Sequence, residues 1–302
     1  MLAIVLALTS AITYGGSDFA AGLASRRISV IMVSFLATAF SLLLTLAVLP
    51  LVAASGSASA AALTWGAVAG LGGMSGALAL YAGFRRAAFS VAGPLSAVSA
   101  AGLSVIVGVL LGERPSALSL AGIGIALPAI VLVSLTATAP GPGTPEGAGA
   151  SRLISGEVLP GVGAGLAAGV GFALLFVGLD RAGSASGLWP VASGQAAEVL
   201  VLGCVLLVIR GFSNSPLGTA RPLGTAVLAV LTGLFGGVGT ILYFLATHHG
   251  FLAITAVLTS LYPAVTIALA RLLASEKLSA TRLAGLALAG VSVTLIALGG
   301  AS

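Results

Sequence analysis

Two carboxylic acids sit inside long apolar runs, where a charge is costly and therefore informative. Asp18 interrupts the run that extends from the start of the chain to Leu23, and Glu198 lies midway along a later one, with Gln195 one helical turn before it. At membrane depth an ionisable side chain costs at least roughly 2.5 to 3.5 kcal/mol, so each acid needs a partner or a task. Such a carboxyl can release and recover a proton, or hold a cation such as an ammonium group. Tyr14 and Ser10 precede Asp18 at intervals of four, which on a helix puts all three on one stripe, and Thr13 and Ser17 form a second stripe beside it. That polar face is expected to point into the protein. Plainer readings stand beside these: Asp18 is close enough to Arg26 to pair with a base near the membrane interface, and Glu198 suits a structural carboxyl hydrogen-bonded to a neighbouring helix.

Three tyrosines extend the set of candidate solute contacts. Tyr81, Tyr243 and Tyr262 each offer a hydroxyl and a ring face, and binding cavities combine apolar walls with a few placed polar groups. Tyr81 and Tyr243 fall near helix ends, where an aromatic also serves as an interface anchor, and Trp65 and Trp189 read as anchors alone. Tyr262 falls mid-run beside Pro263, whose missing amide leaves a carbonyl free, a feature of the broken helices that line transport sites. The candidate substrate contacts are thus Tyr14, Ser17, Asp18, Tyr81, Gln195, Tyr243 and Tyr262, with Asp18 and Glu198 as candidate proton-coupling groups.

Other chemistry finds little support. His248 and His249 are adjacent, so they do not share a helix face, and with no carboxylate nearby in sequence they read as an interfacial cap rather than metal ligands. Cys204 has no second cysteine to pair with and reads as a packing residue. There is no Gly-x-x-x-x-Gly-Lys-Ser/Thr loop and no His-Glu-x-x-His helix, so neither ATP, a cofactor nor a metal is expected. The basic residues are singles or pairs without interleaved aromatics, a poor match to nucleic-acid binding.

These side chains need helices of membrane length to hold them. Of 302 residues only 12 are Lys or Arg and 7 are Asp or Glu, while 59% are apolar; soluble domains carry about 25% charged residues. Apolar runs of about 20 residues, each able to cross roughly 30 Å of hydrocarbon, recur along the chain. They predict an all-α membrane protein of ten transmembrane helices, near 2–24, 30–53, 61–84, 88–111, 117–136, 158–179, 184–209, 223–246, 251–273 and 280–299. The first run lacks a positive n-region and a cleavage site, so it is expected to remain as a helix. Short connections predict that sequential helices are antiparallel neighbours.

The longest break, 137–157, contains Pro140-Gly141-Pro142-Gly143 and Pro145 and reads as a flexible linker between a first five-helix unit, 1–136, and a second, 158–302. Residues 70–135 laid over 233–298 without a gap are identical at 16 of 66 positions. Gly112-Glu113-Arg114 matches Ser275-Glu276-Lys277, and Leu120-Ala121-Gly122 matches Leu283-Ala284-Gly285. Gly70, Gly73 and Gly76 match Gly233, Gly236 and Gly239, small residues that let helix backbones approach in lipid. Five is odd, so the second copy must cross the membrane in the opposite sense, giving two inverted repeats. Ten basic residues fall in one set of alternate loops and two, Arg114 and Arg181, in the other. The positive-inside rule then predicts extracytoplasmic termini in a plasma (inner) membrane.

The five-plus-five count, the paired Glu113-Arg114 and Glu276-Lys277 steps, the Leu-Ala-Gly that follows each, and Tyr14-Gly15 with Ser17-Asp18-Phe19 in the first helix resemble the drug/metabolite transporter superfamily in its ten-helix, EamA-type form. Members more often carry Trp-Gly where this chain has Tyr14-Gly15. The resemblance implies a transporter, often an exporter of amino acids or related metabolites, with a central cavity between inverted halves. Its partners would be a small-molecule solute and membrane lipid. Alternating access around a cavity lined by the first, third, seventh, eighth and ninth helices is the leading expectation. An intramembrane enzyme and a non-transport assembly subunit are the alternatives.

Overall fold

The computed structural model describes residues 1–25, 27–51, 58–86, 89–134, 158–212, 222–274 and 280–299. They form α1 (Leu2–Ser25), α2 (Val30–Val48), α3 (Ala60–Arg86), α4 (Phe89–Leu110), α5 (Ala117–Ser134), α6 (Val158–Arg181), α7 (Trp189–Phe212), α8 (Pro222–Thr247), α9 (Leu252–Thr259), α10 (Tyr262–Ala274) and α11 (Ala280–Gly299). With α9 and α10 as two pieces of one broken span, this is the ten-helix membrane fold that the apolar runs predict. Helices are the natural answer to lipid, because each satisfies its own backbone amides and carbonyls where no water can. Leu200 and Leu207 on α7 are 68% and 70% exposed, a surface suited to hydrocarbon. The segment 137–157, read as a linker, lies outside the described residues.

Span lengths carry the repeat. Among the described residues, α1, α2 and α3 and their counterparts α6, α7 and α8 are each long and apolar enough to cross a membrane. The fourth and fifth spans of each half contribute shorter apolar stretches, Leu95–Leu110 and Ala117–Val133 in the first, Leu252–Thr266 and Leu283–Gly299 in the second.

Packing corrects one expectation. Sequential helices are not the main neighbours: α1 and α2 touch little, whereas α3 packs on α6, α1 on α8, α5 on α11, α4 on α6, α3 on α7 and α2 on α8. A short loop ties two helix ends together but does not choose the partner. The faces of small residues do, because they allow the closest approach. Exchanging each helix for its counterpart maps this pattern onto itself, α3 on α6 becoming α8 on α1, and α3 on α7 becoming α8 on α2. The two halves are therefore interleaved about a pseudo-two-fold axis.

The aligned glycines make equivalent contacts. A Cβ on Gly70 would overlap the backbone of Gly194 on α7, and one on its mate Gly233 would overlap the Ala37 carbonyl on α2. Gly122 on α5 lies against Ser292 and Ile296 of α11, while its mate Gly285 lies against Val133 of α5.

One boundary differs from the sequence expectation, and one break falls beside the proline that marks it. The seventh span begins at Trp189 rather than near 184, because Gly183 and Gly187 adopt φ of 70° and 53° and turn the chain before the helix starts. The ninth span breaks at Ser260-Leu261, and Pro263 enters the first turn of α10, where its missing amide costs nothing. In the first half Ala100 stands where Pro263 stands in the second, and α4 runs through without a break. Cys204, read as a packing residue, is exposed on α7.

The repeat motif also has a structural task. The Glu113 carboxylate, in the turn between α4 and α5, accepts the backbone amides of Leu252 and, at 2.9 Å, of Ala253, two donors that open α9 and have no partner within the helix. Gly108 leaves the room this carboxylate occupies. Burial pushes the Glu113 carboxyl above its ordinary value, and the two amides oppose that shift. Glu113→Gln leaves one amide without an acceptor and is expected to cost about 1–2 kcal/mol, read as a lower melting temperature in detergent. An unchanged melting temperature would show that the cap contributes nothing.

Candidate functional site

The polar face of α1 meets α8. Ser10 Oγ donates to the Gly239 carbonyl at 2.8 Å and Ser17 Oγ to the Thr232 carbonyl at 2.9 Å, so the first-helix serines tie the two halves together through backbone acceptors. The Tyr14 hydroxyl lies 2.9 Å from Thr240 Oγ1. Across the axis itself, Thr38 Oγ1 of α2 donates to Glu198 Oε2 of α7 at 3.1 Å, and Gln195 Nε2 donates to Ser41 Oγ at 2.7 Å. The two α7 residues, three apart, thus meet two α2 residues three apart, a pair of rungs across the symmetry axis.

Between these contacts lies a cavity of about 230 Å³. Tyr14, Ser17 and Asp18 of α1, Gln195 and Glu198 of α7, and Tyr262 at the head of α10 all line it. Asp18 and Glu198 come from opposite halves and share this one space, with the Tyr14 phenol in electrostatic reach of both. Among the described residues no hydrogen-bond or ion-pair partner reaches Asp18, and Arg26, the base the sequence offers it, lies outside the described residues. Ser260, in the break between α9 and α10, also faces the cavity, which places the interruption in the wall where a solute would sit.

Two candidates stand apart. Tyr243 is fully buried and does not line the cavity; its hydroxyl donates to the Phe176 carbonyl at 3.2 Å and its ring packs on Phe176 at 4.6 Å between centroids. Tyr243 is therefore neither an interface anchor nor a cavity wall. Tyr243→Phe is expected to lose about 1 kcal/mol of stability and leave transport unchanged in a liposome assay. A selective loss of transport would restore it to the site. Tyr81 lies on α3, and its side chain is outside those described.

The cavity also draws on helices that the sequence reading omitted. Ser34, Thr38 and Ser41 of α2, Ala97 and Ala100 of α4, and Phe172 and Phe176 of α6 join the expected walls. The α2 residues carried a readable signal, since Ser34, Thr38, Ser41 and Thr45 recur at helical spacing in an otherwise apolar run. The aromatic pair on α6 carried none, because Phe at helical spacing is as common in lipid-facing and core positions.

The profile of the EamA-like transporter family matches residues 1–135 and 159–298, one segment for each half. A solved crystal structure of a protein superimposes with a TM-score of 0.75 at 19% sequence identity, covering 98% of this chain and 96% of that one, which speaks for the fold alone. No curated protein matches the chain.

Proposed function

The chain belongs to the EamA-like transporter family, within the drug/metabolite transporter superfamily, and from that premise we propose that it is a secondary active transporter exporting a small polar metabolite, an amino acid or relative, by alternating access. The observation that carries this reading is the joint placement of Asp18 and Glu198, one from each inverted half, on a single cavity. A proton held at either carboxyl and a solute held beside it would then compete for one space, which is the elementary requirement for exchange. Two related halves around one site supply two related conformations, open to one side or the other. Tyr14, Ser17, Gln195 and Tyr262 are the proposed solute contacts beside the acids.

The repeat units are 1–136 and 158–302, joined through 137–157, and because the strongest helix packing runs between them the proposed moving bodies are mixed bundles, α3, α4, α6 and α7 against α1, α2, α8 and α10. The Ser260-Leu261 break, just before Pro263, provides the local give, since a helix already interrupted needs no further backbone bonds broken to bend. The distribution of basic residues supports a reading with both termini outside a plasma membrane. A C-terminal reporter that is active only in the cytoplasm should stay dark; a bright one inverts the assignment.

The decisive experiment reconstitutes the purified protein in liposomes with a labelled panel of amino acids and cationic amines, and imposes a pH gradient. Solute movement above protein-free liposomes, enhanced by the gradient, is expected. Movement of no solute, with the protein shown to be folded, would sink the transporter reading for this panel and turn attention to an assembly role.

A further inference from the structure

The charge of the cavity is one-sided. Among the described residues that line it are two carboxylic acids, Asp18 and Glu198, and two phenols, Tyr14 and Tyr262, while Lys, Arg and His are absent from the same walls. A solute carboxylate placed here meets no cation among the described residues and faces two groups of its own sign when they are ionised. A solute ammonium meets two acids and, among the described residues, no competing base.

A second observation points the same way. Gln195 is 5% exposed, its amide nitrogen is committed to Ser41, and its carbonyl oxygen has no hydrogen-bond partner. Ser260 is fully buried and its hydroxyl also lacks a partner. Both residues line the cavity. A buried acceptor left unmet costs the full desolvation of that group, so an unfilled carbonyl on the cavity that two carboxylates also line is a place prepared for a donor. An alkylammonium carries three N–H donors and no acceptor, which fits this array; a carboxylate carries acceptors only. The remaining walls, with Phe172 and Phe176 of α6 and the Tyr14 ring, give apolar and aromatic surface to the body of such a molecule.

We propose that the cavity binds a small cationic amine through Asp18, Glu198, the Gln195 carbonyl and the Ser260 hydroxyl, and discriminates against solutes bearing a free carboxylate. This rests on the transporter reading for its biological sense, though not for its chemistry. It narrows the exported metabolite from amino acids at large to amines, or to amino-acid relatives whose carboxylate is missing or masked. The described walls exclude by what they lack: with no described base to meet it, a carboxylate would enter at the cost of its hydration.

Three matched probes test it on the full chain in lipid nanodiscs by calorimetry at neutral pH: phenylethylamine, phenylalanine and phenylpropionate, which share a ring and differ in ammonium, both charges, or carboxylate. Phenylethylamine is expected to bind at least tenfold more tightly than phenylalanine, with phenylpropionate weakest. Gln195→Met, which keeps the bulk and removes the carbonyl, should weaken the amine alone by several-fold in a protein that still elutes as a folded species. Phenylalanine or phenylpropionate binding as well as the amine would overturn the proposal, and so would no binding of the amine. The liposome panel separates the two readings. If carboxylate-bearing solutes move and amines do not, transport stands and the cation site falls; if the amine binds selectively and nothing moves, the site stands and transport falls.

Discussion

Glu198→Gln is expected to lower gradient-driven transport by roughly tenfold or more, the factor that about 1.4 kcal/mol of lost coupling produces, while leaving the protein folded. Glutamine keeps the size of the side chain and an oxygen that can still accept from Thr38, so the α2–α7 contact survives. What disappears is the group that can exchange a proton for a solute. Asp18→Asn should act in the same direction, and more cleanly, because no described side chain depends on Asp18 for a hydrogen bond. The measurement is uptake with and without an imposed pH gradient. A coupling residue loses the response to the gradient, whereas a structural carboxyl loses stability and transport together. Because both acids share one cavity, the double variant should be less than additive. Wild-type gradient response in both single variants would remove the coupling assignment.

The second large effect falls on the helix contacts. Gly70→Ala is expected to be severely destabilising, since its new Cβ overlaps the backbone of Gly194, and a backbone cannot rotate aside as a side-chain tip can. Overpacking of this kind costs about 1–3 kcal/mol or more. Gly233→Ala should behave alike, because it meets the Ala37 carbonyl at the symmetry-related crossing. Gly124→Ala is the matched control: nothing lies within 4 Å of its Cβ, and alanine should gain about 1 kcal/mol in helix propensity. Its repeat counterpart, Ala287, already carries that methyl. Melting temperatures and elution profiles in detergent decide the matter. If Gly70→Ala and Gly124→Ala melted alike, close packing at Gly70 would not be what holds α3 to α7.

Sequence alone determined much of this protein, for a physical reason that is local. Apolar runs long enough to cross hydrocarbon force helices wherever they occur, so the ten spans follow from composition, and odd parity makes the second half inverted without any knowledge of contacts. The cost of charge in lipid likewise singled out Asp18 and Glu198, because that cost depends on depth in the run and not on the neighbour. Pro263 marked the broken span for the same reason: a missing amide is a property of the residue.

Tertiary structure decided what depends on two segments at once. Short loops suggested sequential neighbours, yet the glycine faces pair α3 with α6 and α1 with α8, because closeness of approach is a joint property of two surfaces. Tyr243 and Tyr14 look alike in the chain, but only Tyr14 faces the cavity, since a rotation of the helix separates wall from core. The placement of Asp18 and Glu198, 180 residues apart in number, on one cavity with the orphaned carbonyl of Gln195 in its wall exists only once the halves interleave.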